Sequence, residues 1–430
     1  MATIVDFVKM LSQAQWLSAD ELHEHRLPLL VRLLHHAEGK VPAWAEWLAP
    51  LRRADGNLDL SRWEEVPIMT RRHLEDELPA FTTTDIPPQA GPIGTIKTSG
   101  TTRVPLAIPM NKLLNLMAWA MTHRSHEWAG ALPGGRLAAI GADAPGRAPG
   151  PHGHRGAGWS ALDAAGVKGK LSIVEPMQVQ HAWLEAFEGD YLKTYPSNLA
   201  ALLRSSGGHA WPSRLRAIFT VGETLTDDQR ATARAHTPAP ITDVYATQEV
   251  GPIAIECRDC GRYHLCEETI LVEIVDEAGR QQQPGLPGRV VVTGLNAYST
   301  PIIRYDTGDY AVSIAGEAPC GRGHRSIERI MGRSRNAIAM PDGSRLWPRL
   351  HVDKLIRVLG FQEVQVVQHS LRDVEIRYVP IPGSDRLDAA AVQEHFRTYF
   401  YRDLETRLTA LDTFPRSRGA KYEEIISLVA

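Results

Sequence analysis

The chain has 430 residues, 43% of them hydrophobic and 23% charged, with a formal net charge of -3. This length allows a large core and two or more domains, and the composition is that of an ordinary globular protein. The charge balance argues against a nucleic-acid module, no apolar run is long enough to span a membrane, and the start MATIVDFVKMLSQAQ lacks a secretion signal, so cytoplasmic residence is expected.

The first stretch, to about residue 85, reads as helices. ADELHEHRLPLLVRLLHHA repeats apolar residues at helical spacing, and MTRRHLEDEL is a Thr-capped helix start. TTTDIPPQAGPIG breaks the pattern with Pro and Gly. NKLLNLMAWAMTHRSHEWAG is then a long amphipathic helix. GRLAAIGAD, GKLSIVEP, LRAIFTVGE and PITDVYAT are short apolar runs ending in small or polar residues. Helical patterns separate them, as in HAWLEAFEGDYLKTYPSNLAALLRSSG. Strands alternating with helices imply an α/β fold with functional loops at the strand ends. From about residue 268, TILVEIVDEAG, GRVVVTGL and DYAVSIAG read as antiparallel strands. After ERIMGRSRN come two alternating strands in FQEVQVVQHSLRDVEIRYVP and a helix in LDAAAVQEHFRTYFYRDLETRLTA. The expected organisation is a large N-terminal domain, 1–333, with parallel or mixed sheets and a β-rich subregion near 257–325. A small mobile α+β domain, 334–430, follows it.

Between an apolar run and the long helix lies TSGTT, Thr98 to Thr102. Its glycine lets a ligand approach the backbone, and its hydroxyls and N–H groups can donate to phosphate oxygens. The Gly-Lys-Ser/Thr ending of a Walker loop is missing. Alone, the stretch also fits an ordinary turn. What changes the reading is a series in fixed order: VGET (Val221–Thr224), VYATQE (Val244–Glu249), RYDTGD (Arg304–Asp309), IMGRSRN (Ile330–Asn336) and RSRGAK (Arg416–Lys421). The series resembles the adenylate-forming superfamily of acyl-CoA synthetases, luciferase and adenylation domains. VPAWAEWL, EVPIMTRRHL and FQEVQVVQ resemble framework segments of its phenylacetate–CoA ligase-like branch.

The resemblance implies roles. Thr98, Ser99, Gly100, Thr101 and Thr102 match the loop that holds the β- and γ-phosphates of ATP. Gly222 and Glu223 match the adenine-side strand end, and Tyr245 the aromatic packed on adenine. Glu249 matches the acid that coordinates Mg²⁺, Asp309 the carboxylate on both ribose hydroxyls, and Arg333 the arginine near ribose and α-phosphate. Lys421 matches the mobile lysine that bridges substrate carboxylate and phosphate. These types suit the chemistry, because a carboxylate must attack a phosphate and the two negative charges have to be neutralised. The chain departs from the pattern at Arg103 and Pro105 in the loop, at Ala246 and Gln248, at the hinge Arg335–Asn336 and at Ala420.

CRDCGRYHLC places Cys257, Cys260 and Cys266 within ten residues, and Cys320 follows. A C-x2-C knuckle with two further thiols can close a structural tetrahedral Zn²⁺ site, with His264 and His324 as competing ligands. Reduced buried thiols are the alternative. For the acid pocket the resemblance points to the helix after the phosphate loop and to the strand ends, with Trp119, His123, His152, His154, Tyr195 and Pro196 as candidates. The expected activity is ATP-dependent adenylation of a small, preferably aromatic, carboxylic acid, followed by transfer to coenzyme A. An amine, a carrier-protein thiol or nitrite in the chemistry, or a non-catalytic zinc-stabilised relative, are the alternatives. No nucleic-acid or membrane partner is expected, and a homodimer is left open.

Overall fold

A computed structural model describes residues 3–97, 106–142, 148–159, 162, 164–205, 211–347, 360–381, 388–401, 403–414 and 424–429. The helices are α1 (Ile4–Ala14), α2 (Ala19–Lys40), α3 (Pro42–Trp47), α4 (Arg71–Glu77), α5 (Lys112–Trp128), α6 (Met177–Phe187), α7 (Pro196–Arg204), α8 (Asp227–His236) and α9 (Ala389–Tyr399). The cap residues explain several starts. Thr3, Ser18 and Thr226 each close a reciprocal capping box with the residue three positions on, which satisfies orphan N–H groups of the first turn.

A two-stranded hairpin, β1 (Ile93–Lys97) with β2 (Ala107–Asn111), pairs Lys97 opposite Ala107 and leads into α5. The main sheet takes β3 (Arg136–Gly141), β4 (His154–Ala157), β5 (Val167–Ser172), β6 (Tyr191–Thr194), β7 (Ala217–Val221) and β8 (Ile241–Thr247). It continues through β9 (Gly251–Glu256), β10 (Tyr263–Leu265), β11 (Ile270–Val275), β12 (Pro287–Gly294), β13 (Tyr305–Ile314) and β14 (Ser326–Arg333). These form one 12-stranded sheet in the order β11-β12-β13-β14-β10-β9-β8-β7-β6-β3-β5-β4. The block β5-β3-β6-β7-β8 is parallel, and from β8 to β11 every pairing is antiparallel. Helices α6, α7 and α8 cover one face of the parallel block through Leu184, Leu199, Leu203 and Ala233, as βαβ crossovers demand.

Two expectations need correction. The helical patterns of HAWLEAFEGDYLKTYPSNLAALLRSSG form α6 and α7, but β6 lies between them at the sheet centre. Four residues between two helices are too few to show alternation. The helix expected to run to residue 410 stops at Tyr399, and ETRLTA forms β19 (Glu405–Ala410), parallel to β18 (Asp373–Pro380). With β17 (Phe361–Gln368) and β20 (Ile425–Ser427) these make a four-stranded sheet in the order β19-β18-β17-β20. Its own core includes Phe361, Val366, Ile376, Val392 and Phe396. Two short strands, β15 (Ile338–Ala339) and β16 (Arg345–Leu346), precede it. No described helix is long and apolar enough to cross a membrane.

The N-terminal helices are pinned to the antiparallel strands by buried charge. Glu268 sits between Arg124 of α5 (2.7 Å) and His324 (2.9 Å). Glu267 binds Arg26 of α2 at 2.6 Å and Arg325 at 2.8 Å. Burial alone would raise the Glu268 pKa, but Arg124 and then His324 hold it well below the usual carboxylate range. A depressed folded-state pKa adds stability that is complete above the unfolded value, about 4.3, and disappears as pH falls below it. Glu268→Gln strands the buried Arg124 and is expected to cost about 3 kcal/mol at pH 7. Urea unfolding should also show a shallower loss of stability between neutral and acid pH than in wild type.

Candidate active site

RYDTGD folds as the start of β13, and its two ends do different work. Arg304 is fully buried, with φ of 42° in the left-handed region. Its guanidinium donates to the carbonyls of Glu64 (3.0 Å), Val66 (2.8 Å) and Gly279 (2.7 Å), and it pairs with Glu273 at 3.2 Å. It therefore staples the EVPIMT segment to the sheet, a role that Met69 repeats by donating its N–H to the Arg304 carbonyl. No local sequence signal marks Arg304, because the carbonyls and the carboxylate that converge on it, including the Trp63 carbonyl at 3.4 Å, come together only on folding.

Asp309 stands at the other end. It pairs in register with Arg333 on β14, with Arg333 Nε 3.9 Å from Asp309 Oδ1. The Tyr245 hydroxyl, from β8, donates to Asp309 Oδ2 at 2.8 Å and lies 3.2 Å from Thr307 Oγ1. Burial, then the Asp309 charge, pushes the Tyr245 pKa well up, so the phenol stays a donor. β8 and β13 are four strand steps apart in the sheet, so this contact requires the sheet to curl on itself. VGET is drawn into the same place. Gly222 has φ of 85°, the Ser197 N–H at the start of α7 donates to Glu223 Oε2 at 2.9 Å, and Gly332 backs onto Thr224. A Cβ at Gly332, where φ is 92°, would lie 2.9 Å from Thr224 Oγ1. Glu249 is buried after β8 and accepts from the Tyr305 hydroxyl at 3.3 Å.

Thus Gly222, Glu223, Tyr245, Glu249, Asp309 and Arg333 gather where the parallel block meets the antiparallel strands. Thr98, Ser99, Gly100, Thr101, Thr102 and Lys421 lie outside the described residues. Of the acid-pocket candidates, Tyr195 and Pro196 follow the C-terminal end of β6 at the start of α7, and His123 lies on α5 with its Nε2 3.4 Å from Glu127 Oε1. Trp119 is 65% exposed, and His152 and His154 belong to β4 and its approach at the far edge of the sheet.

The cysteine cluster closes with a different fourth ligand. Donor atoms of Cys257, Cys260, His264 and Cys320 all lie within 4.8 Å of one another. His264 Nε2 is 3.4 Å from Cys260 Sγ and 3.3 Å from Cys320 Sγ, while Nδ1 faces the His324 carbonyl at 3.4 Å. Burial pulls the His264 pKa down to about 4, so its ring is neutral at pH 7, as a ligand must be. An Nδ1–H held by that carbonyl would leave the Nε2 lone pair toward the thiols. The set fits a tetrahedral ion with soft ligands. Cys266, expected as a ligand, is outside this group: β10 ends at Leu265, and the Cys266 side chain is buried in the main apolar core. His324 is likewise turned away, onto Glu268.

No protein-family profile matches the chain. It is 24% identical over 443 residues to the phenylacetate–coenzyme A ligase of Pseudomonas putida, covering 95% of each protein. It is 25% identical to that of Thermus thermophilus over 305 residues, covering 64% of this chain and 67% of the relative. Among solved structures, 2-hydroxyisobutyryl-CoA ligase in the postadenylation state superposes with a TM-score of 0.73 at 19% identity, covering 97% of this chain and 91% of the other. An anthranilate–CoA ligase bound to anthranoyl-AMP gives 0.55 at 16% identity, covering 77% and 65%. The fold is that of the adenylate-forming ligases. Within them, the chain is similar to the phenylacetate–CoA ligase-like branch along nearly its whole length.

Because Arg304 carries the local architecture, Arg304→Met leaves Glu273 buried without its counter-charge. It is expected to lose about 3 kcal/mol or more of stability by denaturant unfolding, with Arg304→Lys recovering only part of this.

Proposed function

We propose that this protein is an ATP-dependent ligase that joins a small carboxylic acid to AMP and then hands the acyl group to coenzyme A. The observation that carries the reading is the Tyr245–Asp309–Arg333 cluster, at the positions where the resemblance places the ribose and α-phosphate. A carboxylate accepts from both hydroxyls of a ribose diol, and Tyr245 fixes Asp309 in one orientation. The Arg333 side chain is 44% exposed and free to meet a phosphate oxygen. In the first step a substrate carboxylate oxygen bonds to the α-phosphorus, the bond to the β-phosphate oxygen breaks, and pyrophosphate leaves. In the second step the thiol sulfur of coenzyme A bonds to the acyl carbon, AMP departs, and the thiol proton is released. Glu249 would hold Mg²⁺, which neutralises phosphate charge. Thr98 to Thr102 would cradle the phosphates and Lys421 would bridge acid and phosphate.

The sequence similarity to phenylacetate–CoA ligases supports a thiol acceptor and an aryl-type acid. We assign 334–430 to the mobile C-terminal domain.

ATP–pyrophosphate exchange across an acid panel, repeated with coenzyme A and product mass analysis, tests both half-reactions. Exchange should appear with at least one acid, and the mass of an acyl-CoA thioester with coenzyme A added. Asp309→Ala should weaken ATP binding by about tenfold to a hundredfold, the worth of hydrogen bonds to a charged group. Unchanged ATP affinity in that variant contradicts the reading.

We propose further that Cys257, Cys260, His264 and Cys320 hold a structural Zn²⁺. The purified chain should contain one zinc per molecule by elemental analysis. Cys260→Ala should lose it and melt at lower temperature, whereas Cys266→Ala should retain it. Equal metal loss in both variants goes against the assignment.

A further inference from the structure

One arginine touches both the thiol cluster and the first helix. Arg322 follows Cys320 by two positions and is 8% exposed. Its Nη1 donates to Cys257 Sγ at 3.1 Å and to Asp259 Oδ2 at 2.8 Å. Its backbone N–H and guanidinium bear on Cys320 as well. The guanidinium is held between two indoles, with Cζ 4.5 Å from the Trp128 ring centroid and 5.2 Å from that of Trp16. A planar cation suits such a slot, and an ammonium would fill it less well.

The same arginine meets the end of α1. Gln15 is the C-cap of that helix. Its Oε1 accepts from Arg322 Nε at 3.3 Å and from Trp128 Nε1 at 2.9 Å, and its carbonyl accepts the Gly323 N–H at 3.3 Å. A Cβ at Gly323 would fall 1.8 Å from the Leu17 carbonyl oxygen, so the two backbones touch there. Arg124 Nη2 donates to the Leu11 carbonyl at 2.6 Å. The carbonyl end of α1, the negative pole of the helix, is thus held by a cation from α5 and by the turn that carries Cys320. Charge explains why an arginine stands at the cluster. Three thiolates and a neutral imidazole around Zn²⁺ leave one net negative charge, and Cys257 and His264 are buried. A buried charge requires a partner. The Asp259 side chain is 61% exposed and screened by solvent, so it leaves most of the Arg322 charge to the thiolates.

We propose that Arg322 is the counter-charge of the metal centre and couples ion binding to the docking of α1. This rests on the zinc reading above and deepens it. Both sets of contacts belong to one guanidinium, so any shift of Cys257 or Cys320 on ion loss is passed to Gln15 and Trp16. Arg322 is a positioning residue here: it touches no substrate, and its effect is read in metal affinity and in the order of the first helix.

Zinc affinity of the full chain, measured by competition with a chromophoric chelator, and hydrogen exchange with and without zinc test this together. Arg322→Met, with circular dichroism confirming the fold, should weaken zinc binding by about tenfold to a hundredfold, and Arg322→Lys should recover part of it. Coupling is reciprocal, so loosening α1 should also weaken the ion. Trp16 is 58% exposed and touches none of the four ligands in the cluster. Trp16→Ala should lower zinc affinity by about twofold to fivefold, the worth of one exposed cation–π contact, and it decides the matter if Arg322→Met does not fold. Removing zinc from wild type should speed amide exchange in α1 while α6, α7 and α8 keep their protection. Unchanged zinc affinity in either folded variant overturns the proposal and leaves the zinc reading standing. So does zinc removal that leaves α1 unaffected, or that speeds exchange in α6 to α8 as much as in α1, because the ion would then hold the whole fold. A wild-type chain that binds no zinc removes the zinc reading and this proposal together.

Discussion

One hydrogen bond organises the candidate site: the Tyr245 hydroxyl donating to Asp309 across the curl of the main sheet. A surface carboxylate at a strand start would rotate freely, and a diol would have to order it on binding. Here the acid is held from one side by a buried phenol and flanked by Arg333 through strand pairing. The bond also ties together two kinds of sheet. β8 is the last parallel strand, and β13 belongs to the antiparallel half. Four sequence stretches far apart in the chain meet where the β8–β9–β10–β14 ladder joins those halves, and this bond fixes the acid among them.

A second set of contacts holds the helix that bears on this site. α5 begins directly after β2 and ends near the cysteine cluster. Its Arg124 is locked to Glu268, and Arg322 lies over the Trp128 ring at 4.5 Å. The Trp128 ring in turn meets His264 edge-on, with centroids 5.6 Å apart. The Cys257–Cys260–His264–Cys320 cluster and the buried ion pairs therefore form one plug between α5 and the antiparallel strands. A structural ion there would fix the far end of a helix whose first turn follows β2 directly, which explains why a non-catalytic metal suits this position.

The parts legible in the sequence were those written in local spacing. The antiparallel strands from residue 268, the capped helices and the ordered motifs were readable because alternation, caps and signature residues need only neighbours. The misses are non-local. β6 is four residues long and sits between two helices, so its strand identity comes from its partners β3 and β7. Cys266 looked equivalent to the other thiols because count and spacing carry no direction. The end of β10 sends it into the apolar core while His264 faces the ligands. Arg304 sat unnoticed inside a motif read for its last residue, since the carbonyls it binds come from residues 64, 66 and 279.

The central claim is that Asp309 grips a nucleotide's sugar. A crystal structure with a non-hydrolysable ATP analogue tests it most directly. The account predicts both ribose hydroxyls within hydrogen-bond distance of the Asp309 carboxylate, with the base beside Tyr245 and a phosphate near Arg333. A nucleotide bound elsewhere, or one whose sugar makes no contact with Asp309, contradicts it.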